Sequence, residues 1–305
     1  MKVALLQGGR SLERGVSLRS GARVTEALLD LGHEVEALDL GPDLVSRLQS
    51  IDPDIAFIAL HGTEGEDGTV QALLELLGIP HTGPGVAACQ RCMDKSLSKY
   101  IFREQDIPTP DWVTFSEASI RDFGAASTFS RAITTIGLPL VAKPASQGSS
   151  LGVKVVTSEA ELPAALMTAL SYDDRALLET WVSGRELAVS VLGDEALPIV
   201  EAIPTGSNAY DFEARYEIGG AEFVCPAELP EEDADLVRNI ALRAYEALGC
   251  SGFSRVDLIL GEQGPEVLEV NAIPGLTETS LLPQAAEAAG VGFDEMVEKI
   301  LQLAL

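Results

Sequence analysis

Short apolar runs alternating with helical patterns fill the first third of the chain and constrain its fold more than any other feature. Residues 3–6 form an apolar run that ends in Gly8-Gly9. Val16, Ala22, Val24, Ala27, Leu28 and Leu29 then recur at helical spacing until Gly32 stops the pattern. Residues 35–40 and 55–60 read as further strands, with helices around 44–48 and 70–77. Strands that alternate with helices build a parallel sheet covered on both faces. Ligands of such sheets bind at the carboxyl ends of the strands. Two segments fall there: Gly8-Gly9-Arg10-Ser11 and His61-Gly62-Thr63-Glu64-Gly65-Glu66-Asp67-Gly68.

The texture changes after Gly83-Pro84-Gly85. A helix is expected over 95–104, a strand over 112–115, a helical segment over 117–135 and a strand over 140–143. A Gly/Ser loop leads to a strand at 153–156, a helix at 159–170 and a strand at 176–181. Strand patterns at 187–192 and 197–203 precede a loop from about 204 to 220, then a helix at 231–248, two strands and terminal helices. A loop of that length inside a compact domain is usually functional. With Gly206, Gly219 and Gly220 as hinges, it is expected to close as a lid over bound ligands. Three units follow from this pass: 1–93, 94–178 and 179–305.

Composition removes several functional classes. The 305 residues carry 21 Lys+Arg against 47 Asp+Glu, a formal charge of −26. Nucleic-acid affinity rests largely on phosphate neutralisation by Lys and Arg, so such a surface argues against DNA, RNA and anionic lipid. A small anionic ligand stays open wherever a few cations are gathered. No stretch approaches the ~20 apolar residues of a membrane span, and the N-terminal apolar run is too short for a signal peptide. Cys89, Cys92, Cys225 and Cys250 do not make a disulfide framework in a chain this long. The Cys89-x-x-Cys92 pair reads as two small buried residues near a helix start rather than a redox or zinc pair. These features fit a reduced, cytoplasmic protein.

Two constellations could carry chemistry. In Lys143-Pro-Ala-Ser-Gln-Gly148-Ser149-Ser150-Leu-Gly152 the Lys precedes the glycines, so this is not a P-loop, yet it presents backbone N–H groups and hydroxyls to an anion. In the second, Arg255 and Asp257 share one face of a strand, and Glu269 and Asn271 share a face of its partner. Val256, Leu258, Leu260, Leu268 and Val270 are expected to point the other way, into a core. Two carboxylates and a carboxamide are hard oxygen donors suited to Mg²⁺. A solvated strand face with a salt bridge is the alternative reading of the same pattern. Gly83-Pro84-Gly85-Val-Ala-Ala88 matches a dinucleotide fingerprint, but it does not open the first βαβ unit and is set aside.

Taken in order, these pieces resemble one family along essentially the whole chain: the D-alanine–D-alanine ligases, which have the ATP-grasp fold. The resemblance rests on Gly8-Gly9-Arg-Ser-Leu-Glu13-Arg14-Gly-Val16-Ser17, the His61–Gly68 segment, Met93-Asp94-Lys95 and Lys143-Pro…Gly148-Ser149-Ser150. It continues through Glu179-Thr-Trp181-Val182, Tyr210-Asp-Phe-Glu-Ala-Arg215-Tyr216, Arg255-Val-Asp257 and Glu269-Val-Asn271-Ala-Ile-Pro274-Gly275-Leu-Thr-Glu-Thr-Ser280-Leu281. It implies an α/β chain, α+β in its ATP-binding part, with an N-terminal Rossmann-like parallel-sheet domain before the ATP-grasp.

The implied reaction serves peptidoglycan precursor synthesis. ATP phosphorylates the carboxylate of one D-alanine, the amine of a second attacks the acyl phosphate, and phosphate leaves D-alanyl-D-alanine. By the same resemblance, Lys95 and Lys143 would offset the triphosphate charge under a loop formed by Gly148, Ser149 and Ser150. Glu179, Trp181 and Val182 would form the adenine-binding linker, Glu186 would hold the ribose, and Arg215 would reach the ATP from the lid. Asp257, Glu269 and Asn271 would ligate two Mg²⁺ ions, with Mn²⁺ as a substitute. Glu13, with Ser149 and Tyr216, would anchor the first substrate, near Val16 and His61. Arg255 and the Gly275 N–H would face the oxyanion, and Ser280 and Leu281 the second carboxylate. The family also implies a homodimer.

Two positions depart from the family pattern. Arg215 stands where Lys is usual, and a guanidinium is planar and bulkier; Gly15 replaces a residue that is often acidic. Retention of Tyr216 implies dipeptide rather than D-alanyl-D-lactate synthesis, because ester-forming relatives lack it. Ligation to D-lactate or D-serine, a non-catalytic nucleotide-binding module and a nicotinamide oxidoreductase are the alternative readings.

Overall fold

A computed structural model describes residues 1–204 and 221–305. The chain opens with β1 (Lys2–Gln7), α1 (Arg14–Asp30), β2 (Glu34–Asp39), α2 (Leu44–Ile51), β3 (Ile55–Ile58) and α3 (Thr69–Leu77). The strands pair in parallel in the order β2-β1-β3, as expected of strands joined by helical crossovers. Val3 to Leu6 and Ile55 to Ile58 have no exposed surface, because helices cover the sheet. Gly8 and Gly9 follow β1 with φ of 80° and 78°, a left-handed turn that suits glycine. The Gly9 N–H donates to Asp39 at the end of β2, and Arg14 clamps that carboxylate from α1.

After α4 (Val86–Met93) and α5 (Lys95–Glu104) come β4 (Trp112–Ser116), α6 (Glu117–Phe123), α7 (Ala125–Ile136), β5 (Leu140–Pro144), β6 (Lys154–Val156), α8 (Leu162–Leu170) and β7 (Arg175–Thr180). The single helical segment expected over 117–135 is two helices, broken at Gly124 where φ is 92°. The four strands pair antiparallel in the order β4-β7-β5-β6. Alternation along β5 sends Leu140 and Ala142 into a separate core with Leu162, Leu166 and Leu178, and turns Val141 and Lys143 to the opposite face.

The last part contains β8 (Gly184–Leu192), β9 (Glu195–Ala196), β10 (Val200–Pro204), β11 (Ala221–Val224), α9 (Glu231–Leu248), β12 (Phe253–Gly261), β13 (Gly264–Asn271), α10 (Leu281–Ala288) and α11 (Phe293–Gln302). The strand expected over 197–203 begins only at Val200, as β10, after Pro198, which has no N–H to give to a ladder. The sheet runs β11-β10-β8-β12-β13 with antiparallel pairing throughout, and β9 pairs with β8. Val237, Ala241 and Leu248 of α9 belong to the core that contains Leu187, Val189, Val256 and Leu258. That core is continuous with the one beneath β1 and β3. Across the join, α11 packs on α1, and the Arg23 guanidinium lies 3.6 Å from the centre of the Phe293 ring.

Candidate active site

Three regions converge on one cleft. Its walls include Lys95 from α5, Lys143 from β5, Gln147 and Ser150 from the Gly/Ser loop, and the Glu179–Val182 segment after β7. Glu186 of β8, Asp257 and Ile259 of β12, and Leu268 and Glu269 of β13 complete it. The strand register explains the last group. Asp257 lies directly opposite Glu269, and Arg255 opposite Asn271. The Arg255 fork grips Asp257 through two bonds, Nε–Oδ1 at 2.7 Å and Nη2–Oδ2 at 2.8 Å.

Alternation does not hold along all of β13. A bulge lies where Asp257 pairs with Glu269 but Leu258 pairs with Val267, leaving Leu268 as the extra residue. Val267 takes the core position, and Leu268 lines the cleft instead of entering the core as its spacing predicts. Leu260 is only partly buried.

The cations of the cleft are held by carboxylates. Lys95 Nζ donates to the Gln147 carbonyl at 2.7 Å and pairs with Glu269 at 2.9 Å. Lys143 Nζ pairs with Glu179 Oε1 at 2.5 Å, and Lys99 Nζ lies 3.0 Å from Glu179 Oε2. Burial pushes the Glu179 carboxyl up, but Lys143 and Lys99 outweigh it and leave the group below its ordinary value. Asp94 caps α5 by accepting the Leu97 N–H and also accepts from Arg175 of β7, while the Lys95 N–H reaches the Ala145 carbonyl. Met93-Asp94-Lys95 thus fastens α5 to the start of the Gly/Ser loop.

That loop bends sharply. Ser149 and Ser150 both have left-handed backbones, with φ of 50° and 52°. This brings the Ser149 hydroxyl to the Glu13 carboxylate, to which it donates, and packs Gly148 against the same carboxylate. Glu13 precedes α1. His61 is buried close by: Ser20 donates to its Nε2 at 2.9 Å when Nδ1–H faces the Ile273 carbonyl at 3.0 Å. Ser20 Oγ also accepts the Leu276 N–H, so the ring fixes the 273–276 segment against the first sheet. Ser280 precedes α10; its hydroxyl accepts the Thr277 N–H rather than capping its own helix. A Cβ on Gly275 would lie 2.7 Å from that hydroxyl and 3.9 Å from Val16, so a side chain there would displace the Ser280 hydroxyl.

Comparison with known proteins decides the family. A family model for the D-ala D-ala ligase C-terminus matches residues 101–302, and one for the D-ala D-ala ligase N-terminus matches residues 44–84. The D-alanine--D-alanine ligase of Syntrophotalea carbinolica is 44% identical, covering 98% of this chain and 95% of its own. That of Pelotomaculum thermopropionicum is 41% identical over 100% of this chain and 97% of its own. The chain belongs to the D-alanine–D-alanine ligase family. Its fold is the ATP-grasp. The crystal structure of the Bacillus anthracis D-alanine--D-alanine ligase complexed with ATP aligns at a TM-score of 0.85 and 33% identity, over 100% of this chain and 97% of that one. The VanG D-Ala:D-Ser ligase from Enterococcus faecalis aligns at 0.85 and 28%, over 100% and 99%.

Of the residues expected to act in a ligase of this family, the cleft holds Lys95, Lys143, Ser150, Glu179, Trp181, Val182, Glu186, Asp257 and Glu269. Gly148 and Asn271 line a smaller recess that shares Lys95 and Glu269 with it. Glu13 meets Ser149, Arg255 meets Asp257, and Val16 and Ser280 both flank Gly275. Tyr210, Arg215, Tyr216 and the expected lid lie outside the described residues. Gly83-Pro84-Gly85 leads into α4, and Gly83 packs against Ile273, away from any first βα turn. Cys89 and Cys92 are buried on α4, where burial pushes the Cys89 thiol far up and leaves it inert. The sequence gives no sign that Cys250 lies 3.4 Å from Cys92. Sequence reasoning also missed Glu66 and Lys99. Glu66 Oε1 lies 3.4 Å from His61 Nδ1, and its carboxyl is raised by burial.

The charges make a prediction about acid. Burial pushes the Glu269 carboxyl up, but Lys95 and Lys143 outweigh it and hold it at about 2. A carboxyl lowered on folding stabilises the fold above its unfolded value of about 4.3 and loses that contribution as pH falls through the folded value. Stability of the wild type is therefore expected to drop more steeply than that of Glu269→Gln between pH of about 4.3 and about 2. Urea denaturation at steps across that window measures it, and parallel curves would contradict the ion pair.

Proposed function

We propose that this chain joins two D-alanine molecules at the expense of ATP, through an acyl phosphate, and that the cleft is where it does so. The observation that carries this reading is the gathering of Lys95, Lys143 and Arg255 beside Asp257 and Glu269, in a chain of net charge −26. Each of these cations is paired with a carboxylate, so the wall offers a polyphosphate its N–H donors and offers an accompanying Mg²⁺ its oxygen ligands. Lys95 and Lys143 hold the phosphates beneath Gly148, Ser149 and Ser150. The Glu179-Thr180-Trp181-Val182 segment receives the adenine and Glu186 the ribose; Arg215, expected to contact the ATP, lies outside the described residues.

The ammonium of the first D-alanine binds Glu13, whose carboxylate Ser149 orients, with Val16 and His61 shaping that end; Tyr216, expected to support it, lies outside the described residues. The second carboxylate binds Ser280 and the Leu281 N–H at the start of α10, where unsatisfied N–H groups favour an anion. Arg255 and the Gly275 N–H donate to the oxyanion as the amine attacks, a placement that stabilises the developing charge.

The donor set at β12 and β13 fits Mg²⁺. Asn271 Oδ1 is buried with no hydrogen-bond partner, and the Asp257 and Glu269 carboxylates face each other across the ladder. Among the described residues no three His, Cys, Asp or Glu side chains cluster around a metal point, as expected when a carboxamide is the third donor. Asp257, Glu269 and Asn271 would hold two Mg²⁺ ions, or Mn²⁺ in their place, and bound metal would draw charge off the transferring phosphoryl group. The units 1–93, 94–178 and 179–305, a homodimer and a cytoplasmic location complete the proposal; the three separate sheets support a division into three, with β7 (Arg175–Thr180) running past the 178/179 boundary. Among the described residues no helix is long and apolar enough to cross a membrane.

A phosphate-release assay on ATP and Mg²⁺ with D-alanine, D-serine, D-lactate or L-alanine tests the function. Turnover with D-alanine alone and D-alanyl-D-alanine as the main product at pH of about 7 is expected, since Tyr216 is retained. Mainly ester or mixed D-serine product would move the assignment to a sister ligase. ATP binding without release would leave only a nucleotide-binding module.

A further inference from the structure

Lys99 lies one helical turn beyond Lys95 on α5 and has no exposed surface. Its Nζ donates to Thr109 Oγ1 at 2.7 Å and to the Pro110 carbonyl at 3.2 Å, and lies 5.6 Å from the centre of the Trp112 ring. The Thr109 hydroxyl in turn donates to the Val267 carbonyl of β13, so the ammonium has a fixed seat. Its ion-pair partner is Glu179 Oε2 at 3.0 Å, while Glu179 Oε1 holds Lys143 at 2.5 Å. Lys143 lines the cleft and Lys99 does not.

This buried row, Lys99–Glu179–Lys143, carries one net positive charge. Burying an ammonium is costly even when it is paired, and an apolar side chain of similar volume often serves as well for stability. Its charge does something packing cannot. Without Lys99, Glu179 and Lys143 form a neutral pair, and the field that Lys143 sends into the cleft is largely cancelled by the carboxylate behind it. We propose that Lys99 is a positioning residue for the nucleotide: by occupying one oxygen of Glu179, it offsets that carboxylate and leaves the Lys143 charge to the polyphosphate. The inference rests on the reading of Lys143 as a phosphate-binding residue. Burial lowers the Lys99 ammonium to about 8, so it stays charged near neutral pH.

The test compares ATP affinity by titration calorimetry at fixed salt, with a nucleotide-free thermal melt as the check on folding. Lys99→Met is expected to weaken ATP binding about tenfold while kcat at saturating ATP moves by less than about threefold. The double variant Lys99→Met/Glu179→Gln removes a cation and an anion together, returns the row to one net positive charge, and is expected to recover most of the loss. A purely packing role predicts a double variant no better than the single one, and that result overturns the inference. So does unchanged affinity in Lys99→Met when Lys143→Met binds ATP weakly, an outcome that leaves the reading of the site standing. If Lys143→Met binds ATP like the wild type, the phosphate assignment itself fails. Should Lys99→Met not fold, Lys99→Gln keeps a hydrogen-bond donor without the charge and takes its place in the same comparisons.

Discussion

Glu269→Gln is expected to fold normally and to lose about 10³-fold or more in kcat. The change keeps the shape of the side chain and removes one charge. That charge has two roles on the cleft wall: it pairs with Lys95 at 2.9 Å, and it stands opposite Asp257 as half of the carboxylate pair proposed for Mg²⁺. A carboxamide oxygen can still accept a hydrogen bond but carries no charge, so Gln at this position leaves the Lys95 charge unopposed and the metal with a weaker ligand. Phosphate release at saturating ATP, Mg²⁺ and D-alanine measures the loss, and the melting profile separates it from unfolding. Undiminished turnover, or wild-type turnover that survives EDTA, would remove the metal from the proposal.

The second large effect is expected at Arg255. Arg255→Lys should lower kcat about 10²- to 10³-fold, with KM for ATP changing far less. Asp257 grips the guanidinium through both Nε and Nη2, which fixes its plane and directs its remaining donors. An ammonium keeps the charge but cannot make that two-point grip, so it would not be held where the oxyanion forms. A rise in KM for ATP with kcat preserved would reassign Arg255 to nucleotide binding. Single-turnover measurement of dipeptide formation distinguishes the two.

Much of this site could be read from residue spacing. The alternation Arg255-x-Asp257 and Glu269-x-Asn271 sets four polar side chains on facing strands, and the strands do pair in that register. The parallel sheet at the start and the glycine turn after β1 were equally legible, because helical crossovers and left-handed turns each leave a compositional mark. What sequence hid was tertiary. Lys99 reads as an ordinary lysine on an amphipathic helix, and only packing against β7 shows that it meets Glu179. Cys250 and Cys92 are far apart along the chain and meet only when α4 packs near the end of α9. The stretch 117–135 keeps helical composition through Gly124, so the break appears only as a backbone angle. Apolar patterning began β8 at 187, whereas its ladder with β12 runs back to Gly184 through the polar Arg185 and Glu186.

The bulge at Leu268 sets how finely chemistry can be spaced on the cleft wall. On an unbroken strand, side chains that share a face come from every second residue, about 6.6 Å apart, so no two consecutive positions can serve the same ligand. Leu268 and Glu269 are consecutive and both face the cleft. One strand therefore offers an apolar surface and a charged one within a single residue step, which lets it touch a flat ring and an anionic chain of the same molecule where they join. Removing Leu268 would leave Glu269 and Asn271 facing outward in regular alternation. The protein would keep its charged contacts and lose the grain that sets them beside a hydrophobic one.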